Sequence, residues 1–357
     1  MITWFSGKLN FEFCGFVVLK NPSQAQGSSG RKINYSEIFA PYREDMERVE
    51  KAIRANFRSD VALIPDISSY LIGGGGKRIR PLLVIVAARL CGYTGGSRVI
   101  DYSVVVEYIH AATLLHDDVV DEADLRRGSL SSNIKYGNQA SVLVGDFLFA
   151  KSFGLMSDGN DMRVVKSVST ATTRLAEGEV LQLSNTCDIE TTEELYMDTI
   201  LRKTAALMIS CLEIGAIVGG ASEEKTEALC EYGKNIGLAF QLMDDALDYT
   251  ADQDQWGKPV GADLAEGKIT LPLIRTYSMA GNKERELIRK ALEDDDRSKE
   301  NFKIVLDIIE RYDAITYTTD RARSLAKEAK LKLSHFSPSP HLEALHDLAS
   351  YIVERKD

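Results

Sequence analysis

The chain has no excess of positive charge. Its 43 Lys and Arg residues face 53 Asp and Glu residues, which gives a net charge of −10 over 357 residues. A protein that follows a nucleic-acid backbone needs a basic surface to neutralise the phosphates. The composition therefore argues against a nucleic-acid partner, and solubility is the simpler interpretation of the acidic excess.

Cysteine is scarce and shows no metal-binding pattern. The five cysteines form no CxxC pair and have no zinc-ligand spacing with any of the five histidines. We interpret them as reduced residues in or near the core of a cytoplasmic protein.

Long apolar runs are also missing, since a membrane-spanning helix needs about 20 apolar residues. The longest apolar stretches, around residues 81–90 and 207–221, are shorter, and the second contains Glu213. We therefore predict that the chain does not cross a membrane. Its 44% hydrophobic content still suffices for a sizeable core.

The chain lacks the alternating apolar and polar residues that are typical of β-strands. From Tyr35 onward, apolar residues instead recur at helical spacing, as at Tyr102, Val105, Val106 and Ile109. Glycine-rich and proline-rich segments separate roughly a dozen such stretches. This pattern predicts an all-α fold, a mostly antiparallel helical bundle with short loops.

Residues 1–34 differ in composition from the rest of the chain. A short aromatic and apolar run is followed there by polar turn formers, without the long apolar core of a secretory signal. We predict a poorly ordered N-terminal extension over residues 1–34 and a single domain over residues 35–357.

Two acidic motifs dominate the sequence. In each, an apolar helical run ends in two adjacent aspartates, with a third aspartate four positions after the first. The two trios are Asp117, Asp118 and Asp121, and Asp244, Asp245 and Asp248. At about 3.6 residues per turn, the first and last members lie on one helix face, where unpaired carboxylates repel each other. Bound cations would relieve this repulsion, and Mg²⁺ shared with phosphate oxygens suits such ligands, so the motifs point to a diphosphate substrate.

A solvated acidic face, or a dipole contact at a helix N-terminus, would explain one such motif alone. Two copies, the first followed by Arg126 and Arg127, favour the metal interpretation. The two arginines suit bidentate contacts to diphosphate, with surface salt bridges to nearby carboxylates as the alternative.

A glycine-rich turn at residues 73–81 (GGGGKRIRP) brings basic side chains together. It sets flexible backbone against Lys77, Arg78 and Arg80. A Walker phosphate loop is excluded, because Leu71 replaces its first glycine and an arginine follows the lysine. The segment is either an anion site or an ordinary basic turn.

His110 precedes Asp117 by seven residues, two helical turns, and so lies on nearly the same face. A lone histidine in an apolar helix is more often a core residue, but this one aligns with the carboxylates. His116 points elsewhere on the helix. Further donors are Lys203, Thr204, Gln241, Lys258 and Lys268.

Together these segments resemble the trans-prenyltransferases, the (E)-polyprenyl diphosphate synthases, and in particular their long-chain octaprenyl type. The segments that carry the resemblance are GGGGKRIRP, LLHDDVVDEADLRRG, LRKTAAL, FQLMDDALDYTAD and GKPVGADLAEGKITLPLI. The similarity extends from about Ile38 to the C-terminus. In one departure, Leu130 stands where such enzymes usually have proline, which affects the shape of the following loop.

The resemblance implies an isoprenoid-synthase-type antiparallel helical bundle around a central apolar cavity. The implied activity is Mg²⁺-dependent condensation of isopentenyl diphosphate with an allylic diphosphate. The product would be a long-chain all-trans polyprenyl diphosphate of about C35 to C50, with C40 favoured, for a quinone side chain. A cytoplasmic homodimer that hands its product to membrane enzymes is also implied.

The resemblance also assigns roles to residues, with the six aspartates, Arg126 and Lys203 as the catalytic set. Three Mg²⁺ ions would be held by Asp117, Asp121 and Asp244, with Asp118, Asp245 and Asp248 as further ligands or behind them. The allylic diphosphate would contact Arg126, Lys203, Thr204, Gln241 and Lys258, with Lys268 nearby. Isopentenyl diphosphate would contact Lys77, Arg80, His110 and Arg127.

Product length is expected to depend on Ala112 and Thr113, which lie five and four positions before Asp117. Both are small and lie about 6 to 8 Å along the helix axis from the aspartate, so a bulky ring there would block a growing chain. The alternative is that a small residue only lets two helices approach closely.

Three alternatives stay open. A shorter-chain synthase, with a product of about C15 to C20, shares the same motifs. A class I terpene cyclase usually carries an Asn/Ser/Glu-type second metal motif, so Asp244, Asp245 and Asp248 speak against it. A non-catalytic partner subunit should have lost aspartates or basic contacts, and none is missing here.

Overall fold

The computed structural model describes residues 34–73, 75–250, 261–293 and 299–355. Within these ranges the chain forms seventeen α-helices, which confirms the all-α prediction. The first eight are α1 (Tyr35–Phe39), α2 (Arg43–Asn56), α3 (Leu63–Gly73), α4 (Ile79–Leu90), α5 (Arg98–Val120), α6 (Ser132–Tyr136), α7 (Asn138–Gly159) and α8 (Met162–Ser184).

The remaining helices complete the bundle as far as residue 354. They are α9 (Glu193–Ile200), α10 (Ala206–Gly219), α11 (Glu223–Asp248), α12 (Ala262–Ala265), α13 (Leu271–Met279), α14 (Asn282–Glu293), α15 (Lys299–Arg311), α16 (Ala314–Lys332) and α17 (Pro340–Glu354). A π-helical segment, Leu201–Ala205, joins α9 to α10, and 3₁₀ turns lie at Ala40–Tyr42 and Leu333–His335. The helices outnumber the predicted dozen because α1, α6 and α12 are only about one turn long.

Helices α5, α10 and α11 form the centre of the bundle. Helix α5 is apolar around most of its circumference and packs against α2, α4, α7 and α10. Helix α10 packs against α4, α8 and α11, and α11 packs against α16. Gly215 of α10 permits a close approach to α4, because a Cβ atom there would lie 2.5 Å from Cβ of Ala87. These central helices hold both acidic motifs in a rigid frame.

A short β-hairpin departs from the expectation of a chain without strands. Strand β1 (Leu125–Arg126) pairs antiparallel with β2 (Ser129–Leu130), through a turn in which Arg127 and Gly128 have φ values of 52° and 75°. Positive φ at both central residues is the type I′ geometry that suits hairpins. Strands of two residues are too short to show an alternating pattern, so they could not be predicted from the sequence.

Helix α7 has the length and apolar composition that could cross a bilayer, and among the described residues no other helix does. The sequence prediction did not identify this segment. One such helix is weak evidence for a span, because core helices of water-soluble proteins pass the same test. Here 33% of the apolar window is buried, and α7 packs along α5.

Four of the five cysteines lie in the part of the chain that the structure describes. Cys211 is buried, while Cys91, Cys187 and Cys230 are half-buried. This placement agrees with the prediction of reduced residues in or near the core. Cys14 lies outside the described residues.

Candidate active site

A cavity of about 820 Å³ opens between α4, α5, α7, α8, α10 and α11. This volume is in the range of small-molecule sites, about 300 to 1,000 Å³. The cavity brings together ten of the candidate substrate, metal and chain-length residues, from segments far apart in the chain. They are Lys77, Arg80, His110, Thr113, Asp117, Arg127, Lys203, Thr204, Gln241 and Asp244.

Half of the other candidates lie in two smaller recesses. Asp118 and Arg126 line one recess, together with Arg127. Asp245 and Lys268 line the other, of about 150 Å³, which shares Lys203, Thr204 and Gln241 with the main cavity.

The last four candidates are placed by individual contacts or lie elsewhere. Asp121 pairs with Lys268, and Asp248 accepts a hydrogen bond from the backbone N–H of Asp263 at 3.1 Å. Ala112 is fully buried and is not among the described residues that line the cavity. Lys258 lies outside the described residues.

Both acidic motifs lie at the C-terminal ends of helices. Helix α5 ends at Val120, directly after Asp117 and Asp118, and α11 ends at Asp248 itself. The C-terminal end of a helix carries a partial negative charge, which adds to that of the carboxylates. The position excludes the alternative of a favourable dipole contact at an N-terminus. The two helix ends therefore demand compensating cations.

Basic side chains of the protein already pair with three of these carboxylates. Arg126 contacts Asp118 at 2.6 Å, and Lys268 contacts Asp121 at 3.1 Å. Burial alone would lower the pKa of the Lys268 amine, but the nearby carboxylates, including Asp121, raise it above its usual value. The lysine thus stays charged beside the first motif.

The third pair involves the C-terminal end of the described chain. The guanidinium of Arg355 donates to Oδ1 of Asp244 and to the carbonyl of Phe240, and it stacks over the Phe240 ring at 4.1 Å. Only 5% of the Arg355 side chain is exposed. Burial raises the pKa of Asp244, and Arg355 opposes that shift. The arginine thus acts as the counter-ion of the second motif.

The surroundings of the Asp117 carboxyl keep an excess of negative charge. Burial, reinforced by Glu179 and Asp121, raises the pKa of its carboxyl to about 7, although Lys203 and Arg126 act in the opposite direction. Beside it, Oδ2 of the buried Asp118 has no hydrogen-bond partner among the described residues. Both observations favour a cation at this helix end.

These donors fit magnesium shared with a phosphate ligand. Among the residues that the structure describes, no three His, Cys, Asp or Glu side chains form a group that could hold a metal by themselves. Mg²⁺ is usually bound by one or two carboxylates together with waters and substrate phosphates. Carboxylates on separate helix ends across a cavity agree with that mode of binding.

A cluster of basic and imidazole groups occupies another part of the cavity wall. Burial, together with Arg80, Arg127 and other arginines, lowers the pKa of His110 well below its ordinary value, so the imidazole is neutral at pH 7. The Nε of Arg80 is buried without a hydrogen-bond partner among the described residues. Gly76 lies so near Arg127 that a Cβ atom would be 3.1 Å from Nη1. This crowding of positive charge suits an anion.

The glycine-rich turn is held in place by buried ion pairs. Arg78 has a left-handed backbone, with φ of 47°, a strained conformation for a non-glycine residue. Its guanidinium contacts Glu50 and Glu107 at 2.6 Å each. The hydroxyl of Tyr35 also donates to the carbonyl of Lys77. Arg78 therefore shapes the turn, and it lines the cavity together with Lys77 and Arg80.

Several residues of this site carried no signal in the sequence. Glu179 pairs with Lys203 at 2.7 Å, and Glu107 supports the glycine-rich turn. Phe149 supplies an aromatic ring to the cavity wall, stacked against His116. Arg355 reaches an aspartate 111 positions earlier. These contacts join distant segments, so no local spacing in the sequence predicts them.

Comparison with known proteins agrees with this geometry. The family model described as polyprenyl synthetase matches residues 61–309. The chain belongs to the polyprenyl synthetase family, which makes it a prenyltransferase that elongates trans-prenyl diphosphates.

Individual relatives cover nearly the whole chain. The octaprenyl diphosphate synthase of Escherichia coli (strain K12) is 42% identical over 90% of this chain and 99% of its own. The octaprenyl diphosphate synthase of Haemophilus influenzae is 43% identical over 87% of this chain and 94% of its own. A crystal structure of polyprenyl synthase from Caulobacter crescentus CB15, complexed with calcium and isoprenyl diphosphate, has a TM-score of 0.88 at 40% identity. It covers 92% of this chain and 100% of that one. These structural neighbours confirm the isoprenoid-synthase fold.

The raised pKa of Asp117 predicts a pH-dependent stability. Between the ordinary value of 3.8 and about 7, the folded protein keeps a proton that the unfolded chain releases, so this group reduces stability as the pH rises. Asp117→Asn should therefore stabilise the protein in EDTA at pH 8 by roughly 1 to 3 kcal/mol, with the gain vanishing near pH 4. Urea unfolding measures the difference. The exposed Asp320→Asn variant is the control, and a gain that does not depend on pH would contradict the assignment.

Proposed function

We propose that the protein condenses isopentenyl diphosphate with an allylic diphosphate to a long-chain all-trans product. The expected length is about C35 to C50, with C40 favoured, for a quinone side chain. The observation that carries the proposal is the placement of two carboxylate motifs at buried helix C-termini around an 820 Å³ cavity with a basic wall. The octaprenyl relatives support the long product.

Asp117, Asp121 and Asp244 would hold three Mg²⁺ ions together with the allylic diphosphate, with Asp118, Asp245 and Asp248 close behind. When bound, the ions neutralise the charge that develops as the diphosphate leaves. Arg355 and Lys268 now neutralise two of these aspartates, so both contacts must rearrange when the ions bind.

Two sets of donors would bind the two diphosphates. We assign the allylic diphosphate to four residues of the hairpin, the π-helical segment and α11, namely Arg126, Lys203, Thr204 and Gln241. Lys268 lies nearby, and Lys258 is included by resemblance. We assign isopentenyl diphosphate to the turn before α4, to α5 and to the hairpin tip: Lys77, Arg80, His110 and Arg127. The assignment is supported by the position of the described donors, which excludes Lys258, around one cavity and its adjoining recesses.

The apolar wall would protect the reaction from water. Leu114, Phe149, Leu175, Leu207 and Phe240 line the cavity beside the polar groups. Departure of the diphosphate leaves an allylic carbocation, which water would otherwise capture. The double bond of isopentenyl diphosphate attacks this cation, and the new cation loses a proton to the departing pyrophosphate. The sequence requires no protein base for that step.

Turnover tests the role of the aspartates. Asp117→Ala and Asp244→Ala should each lower kcat by at least a hundredfold, because each removes a ligand that acts in the transition state. Product formation from isopentenyl diphosphate, an allylic primer and Mg²⁺ is measured, with circular dichroism to confirm folding. Asp320→Ala removes an exposed carboxylate and should keep the wild-type rate. Folded variants with nearly unchanged kcat would contradict the metal assignment.

Product length is expected to respond to Thr113 and Ala112 in different ways. Thr113 lies on the cavity wall, whereas Ala112 is fully buried. Thr113→Phe should shorten the products toward C15 to C20, because a ring about 6 Å from Asp117 along the axis obstructs the growing chain. Ala112→Phe should instead cost roughly 1 to 3 kcal/mol of stability through overpacking.

Chromatography of the dephosphorylated products and urea unfolding measure the two effects. A wild-type product of C20 or shorter would refute the long-chain proposal and support the shorter-chain alternative. An unchanged length distribution in a stable Thr113→Phe variant would show that this wall does not limit the product. The assay also separates synthase activity from terpene cyclisation and from a non-catalytic subunit.

We further propose a cytoplasmic homodimer that passes its product to membrane enzymes. Helices α7 and α8 pack together and expose large apolar side chains: Leu143, Phe153, Val180 and Leu183 are 50% to 66% exposed. A concentration of exposed apolar surface is typical of a protein interface. A second copy of the chain that covers this face would remove the exposure.

Sedimentation tests the homodimer. The double variant Leu143→Glu/Val180→Glu should sediment as a folded monomer, since buried unpaired carboxylates oppose association. Leu331→Glu, at an equally exposed site on α16, should leave the dimer intact. A dimer that persists in the double variant would place the interface elsewhere.

A further inference from the structure

A continuous chain of hydrogen bonds connects α9 to the π-helical segment by way of α11. The hydroxyl of Tyr196 donates to Oδ2 of Asp245, and Nε2 of Gln241 donates to Oδ1 of the same carboxylate at 2.8 Å. The hydroxyl of Thr204 then donates to Oε1 of Gln241 at 2.8 Å. Tyr196 is 5% exposed and Asp245 is 2% exposed, so the hydrogen bond between them is shielded from bulk water.

Both carboxylate oxygens of Asp245 are thus held by protein donors. Its neighbour Asp244 lies on the wall of the main cavity, whereas Asp245 is not among the described residues of that wall. Two adjacent aspartates of one motif therefore have different surroundings. Asp244 faces the cavity, and Asp245 anchors the end of α11 to α9.

The chain of hydrogen bonds ends at Thr204, in the segment that presents Lys203 and Thr204 to the cavity. A π-helical turn, Leu201–Ala205, places both residues toward the cavity, and such turns often occur at functional sites. The segment packs tightly on α11, because a Cβ atom at Gly237 would lie 2.6 Å from Cα of Ala205. Lys203 is held from the other side by Glu179.

We propose that Tyr196 is a positioning residue for the allylic diphosphate. Its hydroxyl fixes the Asp245 carboxylate, and through Gln241 this fixes the spacing between Asp244 and the Lys203–Thr204 turn. Charge-assisted hydrogen bonds in a buried site are strong and directional, so loss of one donor allows the helix end to shift. The inference rests on the proposed function, because it takes these residues to bind a metal-bound diphosphate.

The test compares two buried tyrosines. Tyr196→Phe removes the hydroxyl that donates to Asp245 at the start of the hydrogen-bond chain. Tyr232→Phe removes the hydroxyl of a fully buried ring, which donates to the carbonyl of Leu345 at 2.6 Å. Calorimetry measures the binding of inorganic pyrophosphate in the presence of Mg²⁺, without turnover. We expect binding at least tenfold weaker in Tyr196→Phe and within twofold of wild type in Tyr232→Phe.

The KM values for the two substrates provide a second readout, because a general loss of stability would not raise KM for one substrate alone. Tyr196→Phe should raise KM for the allylic substrate at least fivefold and change KM for isopentenyl diphosphate less than twofold. Equal KM effects on both substrates would overturn the proposal.

The outcomes separate this inference from the proposed function. Absence of pyrophosphate binding and of product in the wild type would contradict the proposed function itself. Wild-type activity with equal pyrophosphate affinity in both Phe variants would overturn only the role of Tyr196. If Tyr196→Phe unfolds below the assay temperature, Asp245→Asn is measured instead, and wild-type pyrophosphate affinity in that variant would overturn the proposal.

Discussion

The repulsion of carboxylates at the C-terminal ends of two buried helices is the constraint on which the site depends. Helices α5 and α11 each carry aspartates where the helix dipole is already negative. Part of this negative charge is neutralised by ion pairs with Arg126, Lys268 and Arg355. The balance is incomplete at Asp117, whose pKa is raised to about 7. The site therefore keeps a negative charge at Asp117 that a further cation would compensate.

The basic half of the cavity depends instead on a strained turn that ion pairs hold in place. The turn before α4 is strained at Arg78, and its shape is maintained by the pairs with Glu50 and Glu107. Residues from both ends of the described part of the chain contribute here, since Tyr35 donates a hydrogen bond to the backbone of Lys77 and Arg355 lies on the cavity wall. The bundle thus positions positive charge without occupying the cavity, and leaves space for an anion.

The local parts of this arrangement could be predicted from the sequence, and the long-range parts could not. Helical spacing was enough to align His110 with Asp117, because both lie on one helix. It could not separate Thr113 on the cavity wall from its buried neighbour Ala112, because that depends on which helix packs on each face. Arg355 and Tyr196 contact aspartates far away in the chain, and only the folded bundle brings them together. The two-residue strands of the hairpin were missed because they are shorter than any pattern.

The decisive experiment is a crystal structure with Mg²⁺ and a non-hydrolysable allylic diphosphate analogue. We expect metal ions between the diphosphate and the carboxylates of Asp117, Asp121 and Asp244, with the guanidinium of Arg355 withdrawn from Asp244. Asp245 should keep its hydrogen bonds to Tyr196 and Gln241. A bound analogue with the Arg355–Asp244 contact intact and no metal on either acidic motif would contradict the account.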